Sequence, residues 1–440
     1  MNYIDRGTYG KVFIGSNNTV IKQSDFYDDG YNWQRLKELI LLSQFKNSGL
    51  SNLQKFEINQ EHINITLPDL GNNLSDYMRG FEESYEDSDG EEDEEEFEVF
   101  LQEEKIKFLI NLIYQITKSL IFLHGNGIIH NDLKPDNIMV RDGKITLIDF
   151  GASLITEADV SFCTSEYRSP ETYWKKKTSS TSDIWSLGLV CLFVINDFEI
   201  FPMIEKFLDD DITPDHIDEL ISAYLQSINA KSKSFTFNTK KFYGNQELIN
   251  LVQRMLIFDP NSRITALEIY CNPLFNNVRD KLCEIQIPNF CDIVNPPENE
   301  SRVKYINTIF QLCEDYYKSA VLALWIMDKY ATMKSIEERE YKFLTVGSFI
   351  LSCSIFYCYS IDLKKISKMF LSKKHVKKSV REVNIAIKNI LDLLKGSIYR
   401  ITFDKILDLD QNSYQKIYKF CQKTQVNNKT QKTLSLEYSK

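Results

Sequence analysis

The sequence predicts an α+β protein that is followed by an all-α region. Short β-rich patches near the N-terminus lie at residues 3–14, 19–22 and 62–67. A long helical periodicity then runs over residues 105–124, where the apolar positions share one face. From about residue 302 onward only amphipathic helical patterns occur. With 440 residues, the chain is long enough for two or three domains.

The elements between these patches are predicted from spacing and turn signals. Apolar residues at 36, 39, 40 and 42 have helical spacing, which predicts a helix over Trp33 to Phe45. Two strand-like pieces, 137–140 and 145–148, flank the turn Arg141-Asp142-Gly143 and predict a hairpin. Residues 184–195 are apolar all round, which is typical of a buried helix.

Charge is distributed unevenly along the chain, whose net charge is −10. Residues 82–98 contain twelve Asp/Glu and no Lys/Arg, so residues 81–104 are predicted to form an acidic, disordered insert. Residues 301–440 contain 25 Lys/Arg against 13 Asp/Glu. Their basic cluster consists of Lys364, Lys365, Lys368, Lys373, Lys374, Lys377, Lys378 and Arg381. A solvated face, a contact with the acidic insert and nucleic-acid binding all stay open, although the lack of interleaved aromatic residues disfavours nucleic acid.

Composition excludes several classes of protein. The nine cysteines form no C-x-x-C pair, which argues against a disulfide framework and a zinc site. The longest apolar stretch, residues 346–361, is interrupted by polar residues and is shorter than the ~20 residues of a membrane span, so no membrane association is predicted. The N-terminus has no secretory pattern, which predicts an intracellular protein, cytoplasmic or nuclear. Frequent Asn, Ile and Lys are typical of AT-rich genomes, including those of giant viruses and protists.

A glycine-containing turn near the N-terminus is a candidate phosphate-binding loop. Gly7-Thr8-Tyr9-Gly10-Lys11-Val12 lies between two predicted strands, and glycine lets the backbone approach phosphate where a Cβ would collide. Lys22 follows the next strand, which places its ammonium group within reach of phosphate oxygens. Glu38 lies sixteen residues further on and is suited to hold Lys22 by an ion pair. Taken singly, these features also fit an ordinary hairpin and solvated surface charges.

A second segment carries the residues that phosphoryl transfer requires. It reads H-N-D-L-K-P-D-N from His130 to Asn137 and is followed by Asp149-Phe150-Gly151. The reaction needs a carboxylate that orients the nucleophile and accepts its proton, a role that suits Asp132. Lys134 is placed to neutralise charge on the transferred group. Asn137 and Asp149 offer amide and carboxylate oxygens, which Mg²⁺ prefers as ligands.

These segments resemble the signature set of eukaryotic protein kinases. The further matching motifs, in order, are Ser169-Pro170-Glu171, Ser182-Asp183-Ile184-Trp185-Ser186-Leu187-Gly188, and Asp259-Pro260 with Arg263. The resemblance implies a bilobal protein kinase fold over residues 1–275, with a β-rich N-lobe and a mainly helical C-lobe. It also implies ATP- and Mg²⁺-dependent transfer of the γ-phosphate to protein substrates, and an ion pair between Arg263 and Glu171.

The resemblance also assigns nucleotide-binding positions. It implies that Ile4, Val12 and Leu70 line the adenine pocket. It implies that Gly7 and Gly10 approach the phosphates.

Two features resemble particular kinase groups. Lys134, two residues after Asp132, is similar to the serine/threonine class. Thr164 and the motif Tyr167-Arg168-Ser169-Pro170-Glu171 resemble cyclin-dependent and related kinases (the CMGC group), which favour proline after the acceptor residue.

The sequence departs from the kinase pattern at three places. Asp5 replaces the first glycine of the phosphate loop, and Asn131 replaces the arginine that clasps a phosphate on the activation loop in that family. The helix that carries Glu38 also differs from that of cyclin-dependent kinases. The first two departures support the alternative of a pseudokinase, a scaffold that binds nucleotide and protein partners without efficient catalysis, and the third suggests that a conventional cyclin need not bind this helix. For an active enzyme, the fixed charge of Asp159 suggests an activation loop that needs no upstream kinase.

Residues 301–400 resemble a single cyclin box. The matching segments are Ala323-Leu324-Trp325-Ile326-Met327-Asp328-Lys329-Tyr330, Val346–Ser354 and Ile390-Leu391. The resemblance implies that Ile355 and Ile387 stand where cyclins place a kinase-contacting Lys and its partner Glu. A plain helical core and a regulatory domain in contact with the kinase domain of the same chain both stay open. Residues 276–300 are predicted to be a linker, and residues 401–440 a C-terminal helical tail.

Overall fold

The computed structural model describes two compact units. The described residues are 2–7, 10–25, 33–43, 49–59, 61–86, 94–155, 158–159, 164–196, 200–201, 214–276, 305, 309, 317–356 and 376–394. The first unit combines segments within Met1–Lys46, Asn52–Asp69 and Gln286–Lys440. The second unit combines segments within Asn47–Ser51 and Leu70–Ile285.

A five-stranded antiparallel sheet forms the N-terminal part of the first unit. Its strands are β1 (Asn2–Gly7), β2 (Gly10–Ile14), β3 (Thr19–Asp25), β4 (Lys55–Ile58) and β5 (His62–Pro68), in the order β1-β2-β3-β5-β4. In β5 every second residue is buried, with Ile63, Ile65 and Leu67 on the inner face. This alternation follows from the two-residue period of side chains along a strand. In the register of the sheet, Val12 on β2 lies opposite Lys22 on β3.

Helix α1 (Trp33–Leu42), in the first unit, is almost entirely buried. Eight of its ten residues are buried. The unit also contains α9 (Tyr317–Met333), α10 (Glu338–Phe356) and α11 (Val376–Leu394). Helix α10 packs against α9, α11 and α1, and α11 also contacts β4. The enclosure of α1 explains why its sequence contains Leu or Ile at every position from 39 to 42, where a surface helix would show polar residues.

The second unit is mainly helical. Its larger helices are α2 (Leu74–Glu86), α3 (Glu94–Gly125), α5 (Ser180–Ile195), α6 (Pro214–Asn229) and α7 (Gln246–Met255). The shorter helices are α4 (Pro170–Lys175) and α8 (Ala266–Tyr270). A three-stranded sheet contains β6 (Asn72–Asn73), β8 (Ile138–Arg141) and β9 (Lys144–Leu147). The unit also contains two separate two-stranded sheets. One pairs β7 (Ile128–Ile129) with β10 (Leu154–Ile155), and the other pairs β11 (Ala158–Asp159) with β12 (Lys177–Thr178).

Helix α3 is the central helix of the second unit. It packs against α5, α8 and β9. Residues 98–125 of this helix are long and apolar enough to cross a membrane by length and composition. Apolar side chains along it, including Leu112, Ile116 and Leu120, are fully buried within the unit, as in a core helix.

The structure agrees with most predicted elements and differs in one region. The helix predicted from Trp33, the 137–148 hairpin and the buried helix over 184–195 correspond to α1, β8–β9 and α5. The prediction of a disordered insert over 81–104 is wrong at both ends, because 81–86 belong to α2 and 94–104 to α3. Residues 87–93 lie outside the described part, as do the predicted linker beyond residue 276 and the tail over 401–440.

Candidate active site

The buried side chain of Asp183, on α5, holds the loop that contains Asp132. Asp183 Oδ2 accepts a hydrogen bond from the backbone amide of His130 at 2.8 Å, and Oδ1 accepts one from the amide of Asn131 at 2.8 Å. Oδ2 also lies 2.8 Å from Nε2 of His124. The ring of His130 packs edge-on against Phe150, with centroids 5.4 Å apart. One buried carboxylate therefore fixes the backbone on which Asp132 sits.

Asn131 has a left-handed backbone, with φ of 66°. This conformation strains most L-residues but is tolerated by Asn. Its side-chain amide donates to the carbonyl of Ala152 at 3.1 Å. Asn at the position of the usual arginine is thus compatible with the loop conformation, and it links the loop to the segment after Phe150.

Asp132 lies in a hydrogen-bond network with Asn137, Lys134 and Thr164. The side-chain amide of Asn137 donates to the Asp132 carbonyl at 2.7 Å and to Oδ2 at 3.0 Å. The backbone amide and hydroxyl of Thr164 donate to Oδ1 at 3.0 and 2.7 Å. Lys134 Nζ donates to the Thr164 hydroxyl at 2.7 Å and lies 3.4 Å from Oδ2. The predicted residues Asp132, Lys134 and Asn137 are therefore in direct contact, and Thr164 joins them.

Asn137 and Asp149 lie at the same end of the β8–β9 hairpin. Ile138 pairs with Leu147, and the amide of Ile148 donates to the carbonyl of Asn137 at 2.9 Å. Asp149 has a left-handed backbone, with φ of 63°, and its Oδ1 accepts from the amide of Gly151 at 3.2 Å. The hairpin thus brings the two predicted metal ligands to one edge of the catalytic loop.

This donor set fits Mg²⁺. The nitrogen of the Asn137 side chain is directed at Asp132, which leaves the amide oxygen as its coordinating atom, and Asp149 offers a carboxylate. Among the described residues, no group of three or more His, Cys, Asp or Glu is arranged to hold a metal. Mg²⁺ accepts few protein ligands because it keeps water and phosphate oxygens in its coordination shell.

In the first unit, Lys22 and Glu38 form the predicted ion pair. Lys22 Nζ donates to Glu38 Oε1 at 3.0 Å. Glu38 Oε2 accepts from Arg35 on the same helix, and Arg35 Nε donates to the hydroxyl of Ser24 at 2.8 Å. The carboxylate is therefore shared by two cations.

The phosphate-loop positions lie on β1 and β2. Ile4 belongs to β1, Gly7 ends that strand, and Gly10 begins β2. The side chains of residues 1–9, including that of Asp5, are outside the described part. Gly10 has a φ of 153°, and a Cβ there would lie 2.2 Å from the carbonyl oxygen of Gln23, so only glycine fits. Leu70 is half-buried and belongs to the second unit.

The segment from Thr164 to Glu171 is fixed by two ion pairs. Arg168 binds Asp218 on α6 at 2.5 Å and stacks on the ring of Tyr173 at 4.9 Å. Arg263 forms two hydrogen bonds of 2.8 Å to Glu171, as the resemblance implied. Burial raises the pKa of Glu171, but the hydrogen bonds and charge of Arg263 outweigh it and hold the pKa below the ordinary value.

Sequence reasoning missed three residues of these networks. Asp183 was recognised within a motif, but its bonds to residues 130 and 131 were not predicted. Arg35 and Asp218 carry no motif signal, because a charged residue on a helix is ordinarily solvated. Each of the three acts through a contact that only the folded chain brings together.

Comparison with known proteins identifies the family. The family model described as the protein kinase domain matches residues 2–275. The match covers more than half of the chain, so the chain belongs to the protein kinase domain family. The β-sheet of the first unit and the helical second unit are the N-lobe and C-lobe of this domain.

The similar curated proteins are mitogen-activated and cyclin-dependent kinases. Mitogen-activated protein kinase 12 of Mus musculus is 30% identical over 226 residues, which is 47% of this chain and 60% of that protein. Mitogen-activated protein kinase HOG1B of Wallemia ichthyophaga is 32% identical over 187 residues, 38% of this chain and 50% of that protein. Cyclin-dependent kinase F-3 of Oryza sativa is 25% identical over 299 residues, 62% of this chain and 64% of that protein. The chain thus spans between 50% and 64% of the length of these relatives.

Proposed function

We propose that this protein is an ATP- and Mg²⁺-dependent serine/threonine protein kinase. The observation that carries the proposal is the network centred on Asp132, whose carboxylate contacts Asn137, Lys134 and Thr164. It holds a carboxylate, a cation and a metal-binding amide at one point, which phosphoryl transfer requires. The names of the relatives, mitogen-activated and cyclin-dependent kinases, support a protein as the substrate. Because the reaction consumes ATP, an intracellular site of action is part of the proposal.

Each residue has a distinct role in this reaction. Asp132 orients the acceptor hydroxyl and takes up its proton as that oxygen bonds the γ-phosphorus and the bond from the γ-phosphorus to the leaving ADP breaks. Lys134 stabilises the negative charge that develops on the transferred group. Lys22, held by Glu38, binds nucleotide phosphates. Asn137 and Asp149 would hold Mg²⁺, which when bound neutralises charge on the phosphates.

Phosphate transfer from radiolabelled ATP to a library of Ser-, Thr- and Tyr-containing peptides tests the proposal. Asp132→Asn is expected to lower kcat by roughly 10²–10⁴-fold, the contribution of a positioned general base. Asp142→Asn is the matched control, because Asp142 is exposed in the β8–β9 turn and its left-handed φ of 50° suits Asn. Equal activity of the wild type and Asp132→Asn would contradict the assignment, and labelled tyrosine alone would contradict the Ser/Thr class.

The competing function is that of a nucleotide-binding scaffold. Asn131 favours it, since the arginine that controls the activation loop in this family is absent. The side chain of Asn131 instead donates to the carbonyl of Ala152. The sequence also keeps Asp132, Lys134, Asn137 and Asp149, which favours catalysis. Binding of Mg·ATP without transfer to any library peptide, at the concentrations that saturate binding, would establish the scaffold.

Regulation by the C-terminal helices is a further part of the proposal. The packing of α10 against α1, which carries Glu38, supports it. We propose that these helices, as a cyclin-box-like domain, hold α1 in place from within the same chain. A chain that ends at residue 300 is expected to lose kinase activity, and adding residues 301–440 as a separate polypeptide is expected to restore part of it. An unchanged catalytic rate in the shortened chain would contradict this regulation.

A further inference from the structure

A closed ring of polar contacts joins β3 to α1. Lys22 on β3 donates to Oε1 of Glu38 at 3.0 Å. Arg35 donates to Oε2 of the same carboxylate and, through Nε, to the hydroxyl of Ser24 at 2.8 Å. Ser24 lies on β3 two residues after Lys22. The ring therefore ties the helix to the strand at two points, Lys22 with Glu38 and Ser24 with Arg35, and the ion pair of Arg35 with Glu38 joins them.

The charges of this ring are buried. The side chain of Glu38 is 1% exposed and that of Arg35 is 5% exposed, while Lys22 is 14% exposed. A buried carboxylate needs partners for both oxygens, and here each oxygen has its own cation.

Ser24 lies close to the start of β2. A Cβ on Gly10 would lie 2.8 Å from the Ser24 hydroxyl and 2.2 Å from the carbonyl oxygen of Gln23. The backbone at Gly10 is thus in close contact with the strand that carries Lys22 and Ser24. The hydroxyl that receives Arg35 is 2% exposed, so it has little freedom to turn away.

We propose that Arg35 is a positioning residue for nucleotide binding, an inference that rests on the proposed kinase function. By holding Oε2 of Glu38, Arg35 directs Oε1 at Lys22. Ser24 holds Arg35 in the orientation that allows this. The Lys22 ammonium is thereby held in one orientation from which it can bind the phosphate oxygens of the nucleotide. Without Arg35, the carboxylate can rotate and Lys22 is no longer preorganised.

Calorimetric titration of the full chain with Mg·AMP-PNP measures this effect without catalysis. Arg35→Met keeps the apolar stem and removes the charge, and it is expected to weaken nucleotide binding by about tenfold, the effect of losing one charge-assisted hydrogen bond. Arg35→Lys is expected to recover part of the affinity, because it reaches Glu38 but cannot also hold Ser24. Ser24→Ala is expected to weaken binding by about threefold, and it carries the test if Arg35→Met does not fold.

Two comparisons separate positioning from general stabilisation of α1. Lys37→Met also removes a buried cation from α1. The Lys37 ammonium lies over the ring of Trp33, 4.8 Å from the ring centroid. The affinity of this variant for Mg·AMP-PNP is therefore expected to stay within about twofold of the wild-type value. In a Glu38→Gln background, Arg35→Met is expected to have little further effect, because the two residues act through one carboxylate.

The outcomes distinguish this inference from the proposed function. Three outcomes would overturn the positioning role of Arg35 and leave the proposed kinase function intact. They are wild-type affinity in both Arg35→Met and Ser24→Ala, an equal loss of affinity in Lys37→Met, and an undiminished effect of Arg35→Met in the Glu38→Gln background. Failure of the wild-type chain to bind Mg·AMP-PNP would overturn the proposed kinase function itself.

Discussion

Glu38 in the first unit and Asp183 in the second are buried equally, each 1% exposed, but they are held by different kinds of partner. Glu38 is held by the side chains of Lys22 and Arg35. Asp183 is held by the backbone amides of residues 130 and 131 and by His124. A ligand phosphate can compete for a side-chain cation, whereas a backbone amide moves only with its chain. The first carboxylate is therefore suited to adjust to a ligand, and the second to fix a loop.

The largest expected effect comes from removing Asp183. Asp183→Ala would leave two buried backbone amides without their acceptor and remove the contact with His124, at about 1–3 kcal/mol for each lost partner, so the free energy of unfolding is expected to fall by about 4–6 kcal/mol. Urea unfolding measures it. Asp183→Asn, which keeps one acceptor oxygen, is the control and should lose less. A loss under about 1 kcal/mol for the alanine variant would break the comparison, because the amides would then not depend on this carboxylate.

Glu171 in the second unit is, like Glu38, a buried carboxylate that is held by a cationic side chain, here that of Arg263. Arg263→Met strands a buried negative charge and is expected to lower the free energy of unfolding by about 3–5 kcal/mol. The double variant Arg263→Met with Glu171→Leu replaces the pair by apolar groups and should recover most of that loss. If the double variant is as unstable as the single one, the cost does not arise from the stranded carboxylate.

Thr164 tests the network around Asp132 with a smaller change. Thr164→Val removes the hydroxyl that donates to Asp132 and accepts from Lys134, and retains the backbone amide that also bonds Asp132. Under the proposed function we expect kcat to fall by about tenfold and the KM for ATP to stay unchanged. Thr164→Ser keeps the hydroxyl and should stay near wild type. A change in KM alone would place Thr164 in nucleotide binding instead.

The smallest expected effect is on the pH dependence of stability. The pKa of Glu171 in the folded chain lies below the ordinary value of 4.5. The ionised carboxylate therefore stabilises the folded chain above pH 4.5, and this stabilisation is lost as the pH falls through the folded pKa. The urea concentration at the unfolding midpoint should therefore decline below about pH 4.5 more steeply for the wild type than for Glu171→Gln. Parallel curves for the two proteins would show that Glu171 does not titrate differently in the folded chain.

The catalytic loop was predictable because its groups are close in sequence. Asp132, Lys134 and Asn137 lie within six residues, and the hairpin that adds Asp149 was visible from its turn. Lys22 and Glu38 could be suggested as a pair because the helix that carries Glu38 follows the strand that carries Lys22. In these cases local spacing already determines which residues meet.

The remaining contacts depend on distant parts of the chain. Arg35 three residues before Glu38 has the spacing of a solvated helix pair, and its burial follows from the enclosure of α1. The acidic insert was misjudged because charge alone predicts disorder. Glutamate is a good helix former, however, and adding residues to an existing helix costs little, so 94–104 extend α3.

The enclosure of α1 by α10 constrains how this protein can change over generations. On a helix with one solvated side, many substitutions are neutral, but here a larger or smaller residue at 36 or 39–42 disturbs packing. Variation in α1 should therefore be tolerated mainly when α10 varies with it. Grafting the corresponding helix from a relative into this chain alone would leave gaps or collisions, whereas exchanging both helices together would preserve the fit.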